Sequence, residues 1–262
     1  MTSFLNKSVI VAAACVALNA QAGTSSSKGT VQVMEIVEES AANSLGAELA
    51  AGYDSSFYFR GLNFSDNNVW TSLSASIPLT EALSLDAFGF YTNSTSNTFS
   101  RLDLGAALSF DAGPATLALA YNWYHYFDGV FGNGLGFDNA QELGVTAAVP
   151  LGMVNLGFAY FYDFQVEAHY LQAGVDTTIE VNDWLSIVPS AVIGYGIDGY
   201  YTFGTAGTAW NHVGLNLAFP IQLTKSATLT PYVAANFSLD GRDQLNADKN
   251  AIYGGVSLSV SF

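Results

Sequence analysis

Charged side chains are scarce in this chain, and their types and spacing limit the chemistry it can attempt. Arg60 is the one basic residue that an early period-two pattern places on a polar strand face, and Asp86, Asp103, Glu142, Asp163, Asp176 and Glu180 fall on the matching face of later segments. A guanidinium facing carboxylates across a wet passage sets up a transverse field that sorts permeants by charge. The same groups sealed from water would only neutralise one another, because buried charges require partners. Both readings of Arg60, a constriction with Asp86 or Asp103 and a structural counter-ion, stand at this level. Acids lining a passage would favour cationic and neutral solutes.

Other chemistry finds little support. His125, His169 and His212 are the only histidines, and none lies in a motif with a serine that would supply a base and its nucleophile. No catalytic residue is assigned, and a hydrolytic barrel of the lipase kind stands only as a lesser alternative. The segment Asp240-Gly241-Arg242-Asp243 with Asp248 resembles a calcium loop only in its acids and lacks the spacing of one. Gly129, Gly132, Gly134 and Gly136 lack the Lys-Ser or Lys-Thr of a phosphate loop. No metal or cofactor is expected.

The elements that must position these residues follow from composition. Of 262 residues, 50% are hydrophobic, 14% aromatic and only 11% charged, so the chain can bury far more apolar surface than ordering it costs, and disorder is excluded. Every apolar run is broken by Gly, Ser, Asn, Thr or Asp before the roughly 18 residues that a membrane-crossing helix needs. The formal charge is -15, and losing Lys7 would leave 6 basic against 22 acidic residues, which argues against nucleic acid as a partner.

Residues 1–22 read as a signal peptide: Lys7 gives a basic start, residues 8–18 an apolar core, and Ala20-Gln21-Ala22 a small-x-small cleavage pattern. Cys15, the single cysteine, lies in that apolar core and not behind an aliphatic acylation motif, so the mature chain has no disulfide chemistry. Residues 23–44 form a polar, acidic periplasmic leader, and residues 45–262 the folded domain.

From residue 45 the period is two. Leu49, Ala51, Tyr53, Phe57 and Phe59 alternate with Glu48, Asp54, Ser56, Tyr58 and Arg60, and the split recurs at 69–77, 83–91, 102–110, 115–123, 142–149, 154–163, 169–181, 185–197, 209–219, 229–239 and 252–262. Tight turns near 78–82, 111–114, 150–153, 182–184 and 220–226 alternate with longer loops at 62–68, 92–100, 125–139, 164–168, 198–208 and 240–250. The pattern predicts an all-β fold: a transmembrane antiparallel up-and-down β-barrel of about 12 strands, with short periplasmic turns and longer external loops. Turning the other face outward would set Asp86, Asp103 and Glu142 in lipid at up to a few kcal/mol each, so the acids are assigned to the lumen. Clusters at Phe57 to Phe59, Trp123 to Phe127 and Tyr160 to Tyr162 read as interfacial girdles, with saccharide stacking at Trp123 to Phe127 as the alternative. An open lumen is preferred because Ser, Thr, Gly and Asn dominate its lining; the alternative is a plug of Trp70, Phe88, Phe90, Phe161 and Trp210.

The last strand, ending Val-Ser-Leu-Ser-Val-Ser-Phe262, resembles the C-terminal signal of outer-membrane barrels, which implies recognition of Phe262 by the barrel-assembly machinery. Tyr58-Phe59-Arg60-Gly61 with Ser65-Asp66 resembles the opening motif of the TorF-type putative porins, which implies a passive channel with no enzymatic activity. The function expected is an outer-membrane porin-like channel for small solutes, monomeric and embedded in lipid, with a closed structural or adhesive barrel as the alternative.

Overall fold

A computed structural model describes residues 46–127 and 137–262. The signal segment 1–22, the leader 23–44 and the glycines at 129–136 lie outside the described residues. The strands are β1 (Ala47–Phe59), β2 (Leu62–Pro78), β3 (Leu83–Ser94), β4 (Ser100–Asp111), β5 (Thr116–Tyr126), β6 (Asn139–Leu151), β7 (Val154–Asp163), β8 (Ala168–Thr177), β9 (Ile179–Asn182), β10 (Leu185–Ile197), β11 (Ala209–Ala218), β12 (Ile221–Gln222), β13 (Ala227–Ser238) and β14 (Asn250–Ser261). The short β9 and β12 extend the hairpins of their neighbours, pairing with β10 and β13. The other twelve form one antiparallel sheet. It closes on itself where Leu49 pairs with Val260 and Tyr53 with Val256, so no edge is left unpaired. All twelve segments expected from the period-two pattern are strands.

Alternation sets the two faces. On β5, Leu117, Leu119 and Tyr121 are exposed while Ala118, Ala120, Asn122 and Tyr124 are buried; Leu119 is 52% exposed and its neighbour Ala120 2%. The outer surface carries leucine, valine, isoleucine and aromatic side chains on strand after strand, far more contiguous apolar area than a water-facing surface tolerates.

At the end holding Ala47 and Phe262, the termini of the described barrel, side chains close the short turns. Thr80 Oγ1 accepts from the Leu83 amide (3.0 Å), Asp111 Oδ1 from Gly113 (2.8 Å), Asn182 Oδ1 from Leu185 (2.9 Å) and Thr224 Oγ1 from Ala227 (3.0 Å). These are the hydroxyl, carboxylate and amide turns that make Thr, Asp and Asn good turn residues. The Phe262 amide donates to Ala47 (2.9 Å), tying the last strand to the first.

The opposite end departs from the expected loops in one informative place. Residues 62–68, expected as a loop, belong to β2, and β1 and β2 are joined by Arg60 and Gly61 alone, with φ of 51° and 79°. Positive φ at both turn positions matches the twist of a two-residue hairpin. The β1–β2 register shifts between Phe57 and Tyr58, leaving Phe64 as an extra residue. Phe57, next to that bulge, and Tyr58 and Phe59, beyond it, are all buried. The hairpin leaves the wall and turns into the barrel, which corrects the girdle reading of these residues.

Candidate functional site

The inward-turned tip crosses the lumen. Arg60 pairs with Glu142 on β6, its Nη2 donating to Oε2 at 2.7 Å, and both side chains are fully enclosed. Tyr200 and Tyr124 also donate to Glu142, at 2.7 and 2.9 Å, and Tyr200 lies within hydrogen-bonding reach of Arg60 as well. The guanidinium lies over the rings of Tyr170 (4.4 Å) and Phe161 (4.8 Å), contacts that are strongest out of water. A planar, permanently charged group that binds a carboxylate bidentately and stacks on rings suits this position better than lysine would.

The loops 198–208 and 239–249 lock the tip in place. Asn246 Nδ2 donates to the Gly61 carbonyl (2.7 Å) while its Oδ1 accepts from the Asn63 amide (2.8 Å). Arg242 donates from Nε to the Arg60 carbonyl (3.3 Å) and from Nη1 to the Tyr200 carbonyl (3.2 Å). Burial lowers the Arg242 guanidinium to about 10, so it remains a cation at neutral pH. Burial pushes the hydroxyls of Tyr200 and Tyr201 well above the usual range, so they act as neutral donors.

Gly61 is the point of closest approach. A Cβ there would stand 2.3 Å from the His212 ring on β11, and φ is already positive. Gly61→Ala is expected to lower the unfolding free energy by roughly 1 kcal/mol or more through backbone strain alone, read as an earlier midpoint in urea. An unchanged midpoint would show that the tip does not sit against His212.

A second ion pair lies beside the first. Arg101 donates to Asp103 at 2.7 Å within one ring of aromatic side chains, with Phe59 at 4.3 Å and Phe57 at 5.0 Å from the guanidinium carbon. Asp103 is therefore held by Arg101, and the expected pairing of Arg60 with Asp86 or Asp103 is replaced by Arg60 with Glu142. The signal for Arg101 was available: it stands two residues before Asp103, on the same strand face.

The remaining acids are spread along the barrel. Asp163 accepts from the Gln165 amide (2.7 Å) and from the Tyr201 hydroxyl (3.0 Å), closing the 164–167 turn and fixing the loop above it. Asp86 lies towards the termini end and accepts from Ser76, Ser84 and Ser109. Asp176 is half-buried and accepts from Asn155 at 2.9 Å. Glu180 is exposed on β9, away from the cluster. Phe262 is half-exposed at the termini end.

The aromatic clusters split by parity. Tyr124, Tyr126 and Phe161 are buried inside, whereas Phe127 and Tyr160 are exposed, so neither cluster is wholly a girdle. Trp70, Phe90 and Phe161 do pack inside, with Phe88 against them. Trp210 instead faces outward, 50% exposed and 4.8 Å from Tyr195. The β10–β11 register shifts between Gly194 and Tyr195 and skips Asn211, and this bulge reverses the side that parity assigns to Trp210.

The histidines form no nucleophile-activating pair in the described residues. His125 contacts Asn139 Oδ1 (2.9 Å), His169 contacts the Tyr160 hydroxyl (2.8 Å), and His212 is buried against Gly61. No group of three or more metal-ligating side chains occurs among the described residues.

No known sequence family matches the chain, and no curated protein resembles it in sequence. Its fold resembles solved outer-membrane barrels. It is similar to the translocator domain of the autotransporter NalP from Neisseria meningitidis (12% identity, 85% of this chain and 90% of that one, TM-score 0.55). It is also similar to an outer-membrane channel from Pseudomonas putida F1 (13% identity, 88% and 100%, TM-score 0.53). The KdgM porin in complex with disordered oligogalacturonate is a third match (10% identity, 82% and 99%, TM-score 0.51).

Proposed function

We propose that the chain is a porin-like channel of the bacterial outer membrane that passes small cationic or neutral solutes by diffusion, and that its inward hairpin holds the loop end closed. The observation that carries this reading is the division of the closed barrel. Its outer face is apolar on every strand, and its inner face near the termini is lined by small residues such as Ser72, Ser74, Thr146 and Ser257, up to the Arg60 cluster. A barrel of this strand number is wider than one that its side chains just fill. The export signal at 1–22, the terminal Phe262 and the likeness in fold to porins and channels support placement in the outer membrane. The termini then face the periplasm, with the barrel-assembly machinery reading the last strand, and the loop end faces outward. We assign no catalytic residue, no cofactor and no metal, and we take the chain to act as a monomer in lipid.

Planar-bilayer recording of the refolded protein tests this. Brief conductance steps with a cation-favouring reversal potential are expected, and Asp86→Asn with Asp176→Asn should move that potential towards zero by removing two inner carboxylates. The packed Arg60 cluster favours a second reading, a barrel that stays shut and offers its loops to a surface partner. Absence of steps in both the native protein and Arg60→Ala, with the barrel folded, would decide for that reading.

A further inference from the structure

The outer surface is not evenly convex. Leu108 on β4, Leu119 on β5, Val145 on β6, Phe158 on β7, Leu171 on β8 and Ile193 on β10 line a single groove of about 910 Å³ that reaches Trp210 on β11. These strands are consecutive in the closed sheet. Side chains that diverge from a convex wall cannot share a cavity, so the wall is indented here.

The cause lies on the other face. The inward positions of this stretch are small: Ala118 and Ala120 on β5, Gly144 on β6, Gly157 and Ala159 on β7, Gly174 on β8. Across the lumen, β2, β3, β13 and β14 turn Trp70, Phe90, Tyr232 and Tyr253 inward. Trp70 and Phe90 share one packed cluster with Ala118, Ala120 and Ala159, whereas Tyr232 and Tyr253 pack with Val188 and Ala218. Small inward side chains let the wall of β5 to β7 approach the rings of Trp70 and Phe90.

The groove fits one kind of occupant. Its volume lies at the upper end of the range for pockets that enclose a single small molecule, and like them it is lined mainly by aliphatic and aromatic residues, with Thr146 and Gln172 among them. No acidic or basic residue lines it. One end, at Phe110 and Leu117, is wholly apolar. The other ends at Tyr160, Tyr195 and Trp210, where the Tyr160 hydroxyl bonds His169 and His169 lies 3.7 Å from Asp198. Amphipathic rings of this kind sit at headgroup level. A second copy of the chain is a poor occupant, because a concave patch is not complementary to itself and no two-fold pair can fill it.

We propose that the groove holds the acyl chains of one resident lipid of the outer leaflet, with its head at the Tyr160 and His169 rim. This rests on the reading of the chain as a membrane barrel.

Native mass spectrometry of the protein, extracted from membranes in a mild detergent, tests it. The native barrel should carry the added mass of one acylated lipid. Ala147→Phe and Ala173→Phe, which fill the groove from its floor, should lose that species, and Ala51→Phe on the outer face of β1 should keep it. Both groove alanines face the apolar surroundings, so added aromatic bulk leaves the lumen and the pairing intact; circular dichroism and resistance of the folded band to unfolding on gels verify this. No retained lipid in the native protein, or equal retention in all three variants, overturns the proposal. Failure of the native protein to insert into phosphatidylcholine vesicles would instead overturn the membrane reading beneath it.

Discussion

Arg60→Ala is expected to destabilise the folded barrel by about 3–5 kcal/mol, the usual cost of stripping one partner from a buried ion pair, and to raise its conductance. The carboxylate left behind is the reason for the first effect. Glu142 is fully enclosed, and after the substitution it keeps only the hydroxyls of Tyr124 and Tyr200 as donors. The second effect follows from where the arginine sits. It is the only charged group at the hairpin tip, and its bridge to β6 spans the lumen from β1. Without it, the tip is held by Asn246, Asn236 and Arg242, through backbone groups alone. Adding Glu142→Ala removes the orphaned charge, so the double variant should recover part of the lost stability while remaining open. That non-additivity marks a direct partnership. Urea unfolding in vesicles and bilayer recording read the two effects separately. Arg60→Ala with native stability and native conductance, or strictly additive losses in the double variant, would remove the bridge from the account.

How much of this was legible in the sequence depends on whether a residue obeys the period of two. All twelve strands alternate over eight or more residues, so their positions, faces and antiparallel order could be read directly. Two bulges broke the reading. At the first, next to the extra Phe64, the successive residues Phe57, Tyr58 and Phe59 are all buried as the hairpin turns into the barrel, so alternation ends there. At the second, the skipped Asn211 carries Trp210 to the outer face. A bulge is one residue long and leaves no compositional trace, and every parity assignment beyond it is reversed.

The site was legible in its acids and less so in their partners. Glu142, Asp103 and Asp163 lie on strands whose parity points inward, and the structure gathers them at the loop end. Tyr200, Arg242 and Asn246 come from loops 198–208 and 239–249, where no periodicity exists and tertiary packing alone decides what a side chain meets. Arg60 is an intermediate case. Its Arg-Gly step with positive φ is a hairpin turn in disguise, since Asn-Gly or Asp-Gly would have announced it. The open passage preferred from the Ser, Thr and Gly content does not extend through the loop end, where aromatic side chains pack around Arg60 and Arg101.

The orientation of the two faces carries the largest energetic consequence, and Leu104→Arg isolates it. Leu104 is 44% exposed at the middle of β4, paired with Gly89 at the middle of β3. If the outer face meets hydrocarbon, a guanidinium there costs about 2–4 kcal/mol, as at other midplane positions of outer-membrane barrels. Ser74→Arg is the matched control on the inner face. Ser74 pairs directly with Glu48 on β1, so the new cation gains a cross-strand carboxylate in a hydrated part of the lumen, and the change should stay within about 1 kcal/mol of neutral. Both barrels would be unfolded in urea from phosphatidylcholine vesicles and compared with the native midpoint. A large loss confined to Leu104→Arg is the expected result. Equal losses at the two positions, or a greater loss at Ser74, would mean that the leucines face protein or water, and the channel reading would have to be abandoned along with the lipid belt.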